Sequence, residues 1–376
     1  MARGRVRRRL VFFLPGFDPN PPRRYRELFR REAPRQAAIA GYALEMLPGA
    51  GPDRWQARFA EDGAATLTEF RLLDWSDLVR PEMATGWRVL AGRSLRILRA
   101  YLGSGTAGRL WRLRRGPVLA CLWPIAVLML RALLLALFAA AACRILGLWT
   151  GLALSALAIW AEARLFARAD RRLYVSYLLA DIHYWCRDGG AMDPQLSARL
   201  DGFAAEIAAA EGEADEMLLI GHSSGAGLAV SLAARLPRAA RPALLTLGQS
   251  VPMVALLPGA EELRRDLAEV AAGGTPWVDV TAPGDPCCFA LCDPAATEGA
   301  GPGPLILSAA YSRSLSAATL KAMRLRFFRR HHQYLCAFDD PSGFDYFRTA
   351  CGPQTLAETF AGRGNSPGRR GAEAGG

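Results

Sequence analysis

Hydrophobic residues fall in two rhythms along this chain. Arg9 to Leu14 and Met217 to Ile220 contain short unbroken apolar runs bounded by charge or glycine, the signature of strands buried on both faces. Tyr42 to Met46, Leu244 to Gly248 and Trp277 to Thr281 read as further strands. Trp55 to Phe59 and Leu67 to Leu73 flank Glu61-Asp62-Gly63, a hairpin turn signal. Elsewhere apolar residues recur every three or four positions. This predicts helices at Tyr25 to Ala40, Tyr174 to Cys186, Gln195 to Ala210, Leu228 to Leu236 and Glu261 to Ala271. Strands alternating with helices predict an α/β fold, a mostly parallel, doubly wound sheet with helices on both faces.

One block obeys neither rhythm. Pro117 to Ala161 is apolar apart from Arg131, Arg144, Thr150 and Ser155. As a helix it would run about 68 Å, roughly twice a bilayer core. Two transmembrane spans fit, about 118–141 and 145–162, within a membrane-associated insertion at 81–172. A basic amphipathic helix, Arg88 to Tyr101, and Arg109, Arg112, Arg114 and Arg115 precede the block. Arg164, Arg168, Arg171 and Arg172 follow it. Positive charge at both ends places both ends on the cytoplasmic side. Connectivity demands the same parity: the strand at 9–14 and the strand at 217–220 must share one sheet, so the crossings between them number zero or two. Arg131 at mid-span costs about 2.5–3.5 kcal/mol on insertion scales unless it finds a partner. A hairpin lying in one leaflet, or a buried helical pair, is the competing expectation.

The flanking segments, 1–80 and 173–361, then make up one interrupted domain, and 362–376 is polar and glycine-rich enough to be expected to remain disordered. Composition narrows the compartment. The formal net charge of +11 comes almost wholly from arginine, Lys321 being the only lysine. The arginines form no stripe with interleaved aromatics, which argues against a nucleic-acid partner. The 8 cysteines follow no regular framework. Cys287, Cys288 and Cys292 lack a second Cys or His pair at zinc spacing, so reduced thiols are expected, with no metal and no cofactor. Arg3 to Arg9 before Leu10 to Leu14 imitates a secretory leader, but the apolar part is short and Pro15-Gly16-Phe17-Asp18-Pro19 offers no cleavage site. A bacterial inner membrane, crossed more than once, is the expected location. The oligomeric state is not legible.

The strand at 217–220 runs into Gly221-His222-Ser223-Ser224-Gly225 and then into a helix. Strand, sharp turn and helix with a serine at the apex is the setting of a nucleophile elbow. The alternative is a Gly/Ser-rich turn of purely structural use. The motif resembles the α/β-hydrolase superfamily, serine esterases and lipases, in which an acid and then a histidine follow the serine in chain order. The resemblance implies that Ser223 is the nucleophile. It also implies oxyanion donors at the backbone N–H of Ser224 and, in the loop after the first strand, of Phe17. Pro15-Gly16 stands there in place of the family's His-Gly pair.

The base must come from four histidines. His222 adjoins the serine and is expected to point elsewhere, and His183 precedes it. His331 and His332 lie where the superfamily's histidine loop belongs. His331 is preferred because Tyr334, three residues on, could pack beneath it; His332 stays as the alternative base. For the acid, Asp285 follows a strand end after Pro283-Gly284, with Asp279 and Asp293 as rivals. Asp77 lies before the serine and is expected to be a solvated loop carboxylate.

These residues imply hydrolysis of a carboxylic ester or thioester through an acyl-serine intermediate. Acyl transfer to another acceptor, or a scaffold that kept the fold and lost activity, are the alternatives. A domain held at a bilayer meets lipids and acylated molecules, so medium or long acyl chains are expected over acetyl.

Overall fold

The computed structural model describes residues 6–296, 303–324 and 326–371. In chain order, β1 (Arg8–Leu14) leads into α1 (Pro21–Ala40), followed by β2 (Ala43–Gly51), β3 (Arg54–Glu61) and β4 (Ala64–Leu72). The insertion comes next: α2 (Trp87–Gly103), α3 (Thr106–Leu113), α4 (Arg115–Leu146) and α5 (Leu148–Leu173). The chain returns through α6 (Val175–Cys186) and α7 (Pro194–Ala209) to β5 (Glu216–His222), α8 (Gly225–Ala234) and β6 (Ala243–Leu247). It ends with α9 (Glu261–Ala272), β7 (Trp277–Thr281), β8 (Leu305–Ser308), α10 (Phe327–His331) and several helical turns.

The 8 strands form one sheet in the order β2-β3-β4-β1-β5-β6-β7-β8. It is mixed: β2, β3 and β4 form an antiparallel meander at one edge, and the remaining pairings are parallel. Asp62 and Gly63, both at positive φ, make the two-residue turn between β3 and β4. The centre is β1 beside β5, in register from Arg9 opposite Glu216 to Leu14 opposite Gly221. Both strands read as unbroken apolar runs because helices cover both faces. On one face Val11, Phe13, Leu218 and Ile220 pack with Tyr25 and Phe29 of α1; on the other Leu10, Phe12 and Leu219 pack under Leu228 and Leu232 of α8. Trp55 and Phe70 stack with ring centroids 5.0 Å apart beneath Phe29.

Arg9, 1% exposed, spans the junction between the two ends of the chain. Its guanidinium meets Glu216 at 2.6 Å and donates to the carbonyls of Gly352, at 2.7 Å, and Gln354. A buried charge so fully partnered avoids the several kcal/mol penalty of an unpaired ion.

α4 and α5 form an antiparallel hairpin of 32 and 26 residues turning at Gly147, longer than the expected spans 118–141 and 145–162 at nearly every end. At about 48 and 39 Å each exceeds a bilayer core. Only 11% of the apolar stretch of each helix is buried. Both are long and apolar enough to cross a membrane by length and composition. The helices touch near their turn, where a Cβ on Gly151 would lie 2.5 Å from the Cys143 amide nitrogen. Arg131 is paired: its guanidinium grips Glu162 in a two-pronged bond of 2.6 and 2.8 Å and lies 3.4 Å from the centre of the Phe166 ring.

The tail departs from expectation over 362–371. Ser366 donates to the Ile306 carbonyl at 2.8 Å, and Asn365 and Ser366 side chains accept from the amides of Ile306 and Ser308. Arg370 exchanges backbone hydrogen bonds with Leu291 and Asp293, and Arg369 pairs with Asp293 at 2.5 Å. A polar segment packs here because it satisfies the open edge of β8 and a buried carboxylate rather than burying apolar surface. Residues 372–376 lie outside the described residues.

Candidate active site

Ser223 sits where β5 ends and α8 begins, at φ 61. A non-glycine residue in this left-handed region costs about 1–2 kcal/mol and persists only where its surroundings fix it. Three constraints do so. The Ser223 amide donates to the Leu247 carbonyl at 2.9 Å and its carbonyl accepts from Ala226 at 3.0 Å. A Cβ on Gly221 would lie 2.6 Å from the Gly225 carbonyl oxygen, and one on Gly225 would lie 2.5 Å from that of Pro15. The turn therefore closes only with glycine at both positions. The N-terminus of α8, with its partial positive charge, faces the serine.

The structure brings Ser223, His331 and Asp285 together. His331 Nε2 is 2.7 Å from Ser223 Oγ, and His331 Nδ1 is 2.7 Å from Asp285 Oδ2. Asp285 Oδ1 accepts from the Cys287 amide at 2.9 Å, and Oδ2 also accepts from the Tyr334 hydroxyl at 3.0 Å. Burial alone would raise this carboxyl; the His331 ring, its hydrogen bond, the Cys287 amide and Tyr334 outweigh it and hold Asp285 below its ordinary range. An ionised Asp285 accepts a hydrogen bond from Nδ1–H, which leaves Nε2 to accept from the serine hydroxyl.

The rivals fall elsewhere. His332 lies with its ring centroid 6.0 Å from that of His331, its Nδ1 donating to the Phe328 carbonyl at 2.9 Å. Burial and the neighbouring His331 push its pKa down to about 3, so it is neutral. Asp279 lies inside β7 and accepts from the Thr246 hydroxyl at 2.6 Å; burial pushes its carboxyl up to about 8. Asp293 is taken by Arg369. Asp77 forms a two-pronged pair with Arg199 at the surface, and buried His183 sits 4.0 Å from Glu82.

Two supports were not legible in the sequence. His222 turns back beneath the site, where Nε2 donates to the His331 carbonyl at 3.0 Å and Nδ1 lies 3.4 Å from the Tyr25 hydroxyl. Burial holds it neutral, well below the usual histidine range. Tyr334 was expected only to pack under His331. Fully buried, it accepts from the Ala282 amide at 3.0 Å while donating to Asp285, and so ties the acid's loop to the histidine's. The position of Tyr334 after His331 was the available signal; its hydroxyl's target depends on the fold.

The two expected oxyanion donors flank the serine, but the Phe17 amide donates to the Ser224 hydroxyl at 3.0 Å. The loop is seated tightly, since a Cβ on Gly16 would lie 2.9 Å from Ser223 Cβ. The cavity in front of Ser223 is walled by Phe17, Tyr177, Ile182, Val254 and Phe328, with Asp18, Arg24 and Asp181 as its charged groups. Asp18 and Arg24 pair at 3.1 Å. Asp181 accepts from the Trp185 indole at 2.9 Å, and burial pushes its carboxyl up to about 7. Among the described residues, the one group with metal-ligand spacing is Asp285, Cys287 and His331. Two of these are engaged with each other, and burial keeps the Cys287 thiol protonated. The arrangement can remove a proton from a serine hydroxyl next to a largely apolar cavity.

Comparison with family models, curated proteins and solved structures finds no match.

Proposed function

We propose that this chain is a membrane-anchored serine hydrolase of the α/β-hydrolase type that cleaves carboxylic esters or thioesters. The observation that carries the reading is the continuous relay from Ser223 Oγ through both His331 nitrogens to Asp285, with 2.7 Å at each contact. Ser223 Oγ attacks the acyl carbon as its proton passes to His331 Nε2. The tetrahedral oxyanion takes hydrogen bonds from the Ser224 amide and, once the Ser224 hydroxyl rotates away, from Phe17. His331 returns the proton to the departing alkoxide or thiolate, leaving acyl-Ser223. Water, deprotonated by His331, then releases the acid. Asp285 holds the imidazole in the required tautomer and offsets its charge when protonated. A strained serine, glycines at both pinch points and a doubly anchored acid support an active enzyme over an inert scaffold, which would have no need to retain them.

A fluorophosphonate probe tests this: wild type labels and Ser223→Ala does not. Equal labelling of the two, or none of either, defeats the proposal.

The anchor is the α4–α5 hairpin. Its leucines at Leu130, Leu133, Leu134 and Leu137 are each more than half exposed among the described residues, and Arg131, midway along α4, pairs with Glu162. β1 and β5 are neighbours, so two crossings keep the sheet on one side, and the flanking arginines favour the cytoplasmic side of a bacterial membrane as that side. Cysteine introduced at Ile145, near the hairpin turn, and at Asp62, in the sheet domain, each in a chain carrying Cys143→Ser, reports the topology. An impermeant maleimide applied to intact cells reaches 145 and not 62; labelling at both or neither rejects the two-span arrangement.

A further inference from the structure

A second cavity lies behind the one that holds Ser223. Its wall is built from Ile97, Leu98 and Leu102 of α2, Leu110 of α3, and Val118 and Leu122 of α4. The hydroxyl of Tyr101, which also lines it, is spent on the Met253 carbonyl at 3.2 Å. Among the described residues, no charged group contributes to the lining. Cys121 and Met253 line both cavities and stand between them, their sulfurs 3.7 Å apart. Leu102 and Leu122, at 64% and 42% exposed, place its outer rim where the apolar surface of the hairpin begins.

We propose that this second cavity is the acyl-chain site of the hydrolase, and that Met253 and Cys121 form the gate between it and Ser223. The proposal rests on the hydrolase reading of Ser223 and deepens it by naming where the substrate's apolar end goes. Three features of the cavity converge. The space shares a wall with the nucleophile's cavity, offers nothing for a polar ligand to bond, and abuts the bilayer-facing helices. A chain of methylenes is the ligand such a wall accepts, each buried methylene strengthening binding about fourfold. The gate is made of residues able to yield: methionine has three rotatable bonds and a soft thioether, so its side chain can swing without moving the backbone. Acyl chains short enough to end at the sulfur pair leave it closed. Longer ones displace Met253 and gain the burial beyond it. The helices that supply the far wall, α2 and α3, belong to the insertion that carries the anchor, so one segment of the chain both reaches the bilayer and holds its lipid-like substrate.

The test uses the full chain in detergent. In wild type, a dodecyl fluorophosphonate should label Ser223 at least about tenfold faster than an ethyl one, since several methylenes become buried. Ala107→Phe and Leu98→Trp fill the far cavity from two helices. Each should lower the laurate-to-butyrate ratio of kcat/KM for nitrophenyl esters by at least about tenfold. Met253→Ala, which opens the gate, should raise that ratio. Labelling of wild-type Ser223 that is indifferent to chain length overturns the acyl site while leaving the hydrolase standing, as does an unchanged ratio in both filled variants. A Ser223 that no fluorophosphonate labels overturns the hydrolase and the acyl site together.

Discussion

The sheet domain and the hairpin obey opposite rules with the same residue types. Around β1 and β5, leucines and phenylalanines are inside, and arginines reach outward unless, like Arg9, they are met by a carboxylate and two carbonyls. Along α4 and α5 the leucines face out, and the charged pair Arg131–Glu162 lies at the seam between the helices. Both follow from one demand: a polar group away from water must find its partner within the protein. On the proposed anchoring, what differs is the solvent each surface is built for. The site sits between the two regimes, with its proton relay anchored in the sheet and one cavity wall supplied by the insertion.

The largest effect is expected at the relay. Ser223→Ala should lower ester hydrolysis by about 10⁴-fold or more, because removing one member of such a unit removes the unit's function. A residual rate near wild type would mean that the buried polar network is structural. Next comes the hairpin. Arg131→Leu leaves Glu162 unpaired among apolar side chains, at a cost on the order of 3 kcal/mol. Carbonate extraction of membranes should release more of this variant than of wild type, and adding Glu162→Leu should restore retention. If the single variant is retained as well as wild type, the pair does not lie within the bilayer.

Tyr334→Phe sharpens the contrast within the sheet domain. It removes one donor to Asp285 and leaves the Ala282 amide without its acceptor, a loss of about 1–3 kcal/mol from folding. Thermal unfolding in detergent checks it, and kcat should fall by about tenfold as the acid's loop loosens. The last test is a pH slope. Asp279 stays protonated in the folded chain until about pH 8, whereas it ionises near the ordinary carboxyl value of 3.8 when unfolded. Its contribution is complete at low pH and is lost as pH rises through that window, by at most about 1.4 kcal/mol per unit. Asp279→Asn should be less sensitive to pH between 5 and 8 in denaturant titrations. An identical slope in the two proteins would place the ionisation elsewhere.

What could be read from the residues alone was whatever is local. Glu61-Asp62-Gly63 announces its hairpin because the turn needs two positive φ angles, and Gly221 to Gly225 announces its turn because a side chain at either glycine would meet neighbouring backbone. The apolar block from 117 to 161 needs no partner to be noticed. β8 was missed: Leu305 to Ser308 is only 4 residues long and is a strand because β7 and the tail lie on either side of it. The choice between His331 and His332 was less legible, the step to Tyr334 being the one signal that favoured His331. Both lie at the end of one short helix, and a single residue step, set by how α10 docks, turns one imidazole to Ser223 and the other to Phe328. His222 looked idle because its partner, the His331 carbonyl, is more than a hundred positions away.

The pairing of β1 with β5 also sets a timetable. A ribosome releases β1 and β4 early, and they can pair at once, but the other edge of β1 must wait for β5. Between Leu72 and Glu216 the chain delivers the whole insertion, which at ordinary rates of synthesis takes about 7 to 30 seconds. On the proposed topology the hairpin therefore meets the translocation machinery while the sheet is still half built. The membrane is engaged before the nucleophile exists, and the last central strand closes onto a domain already tethered to its site of work.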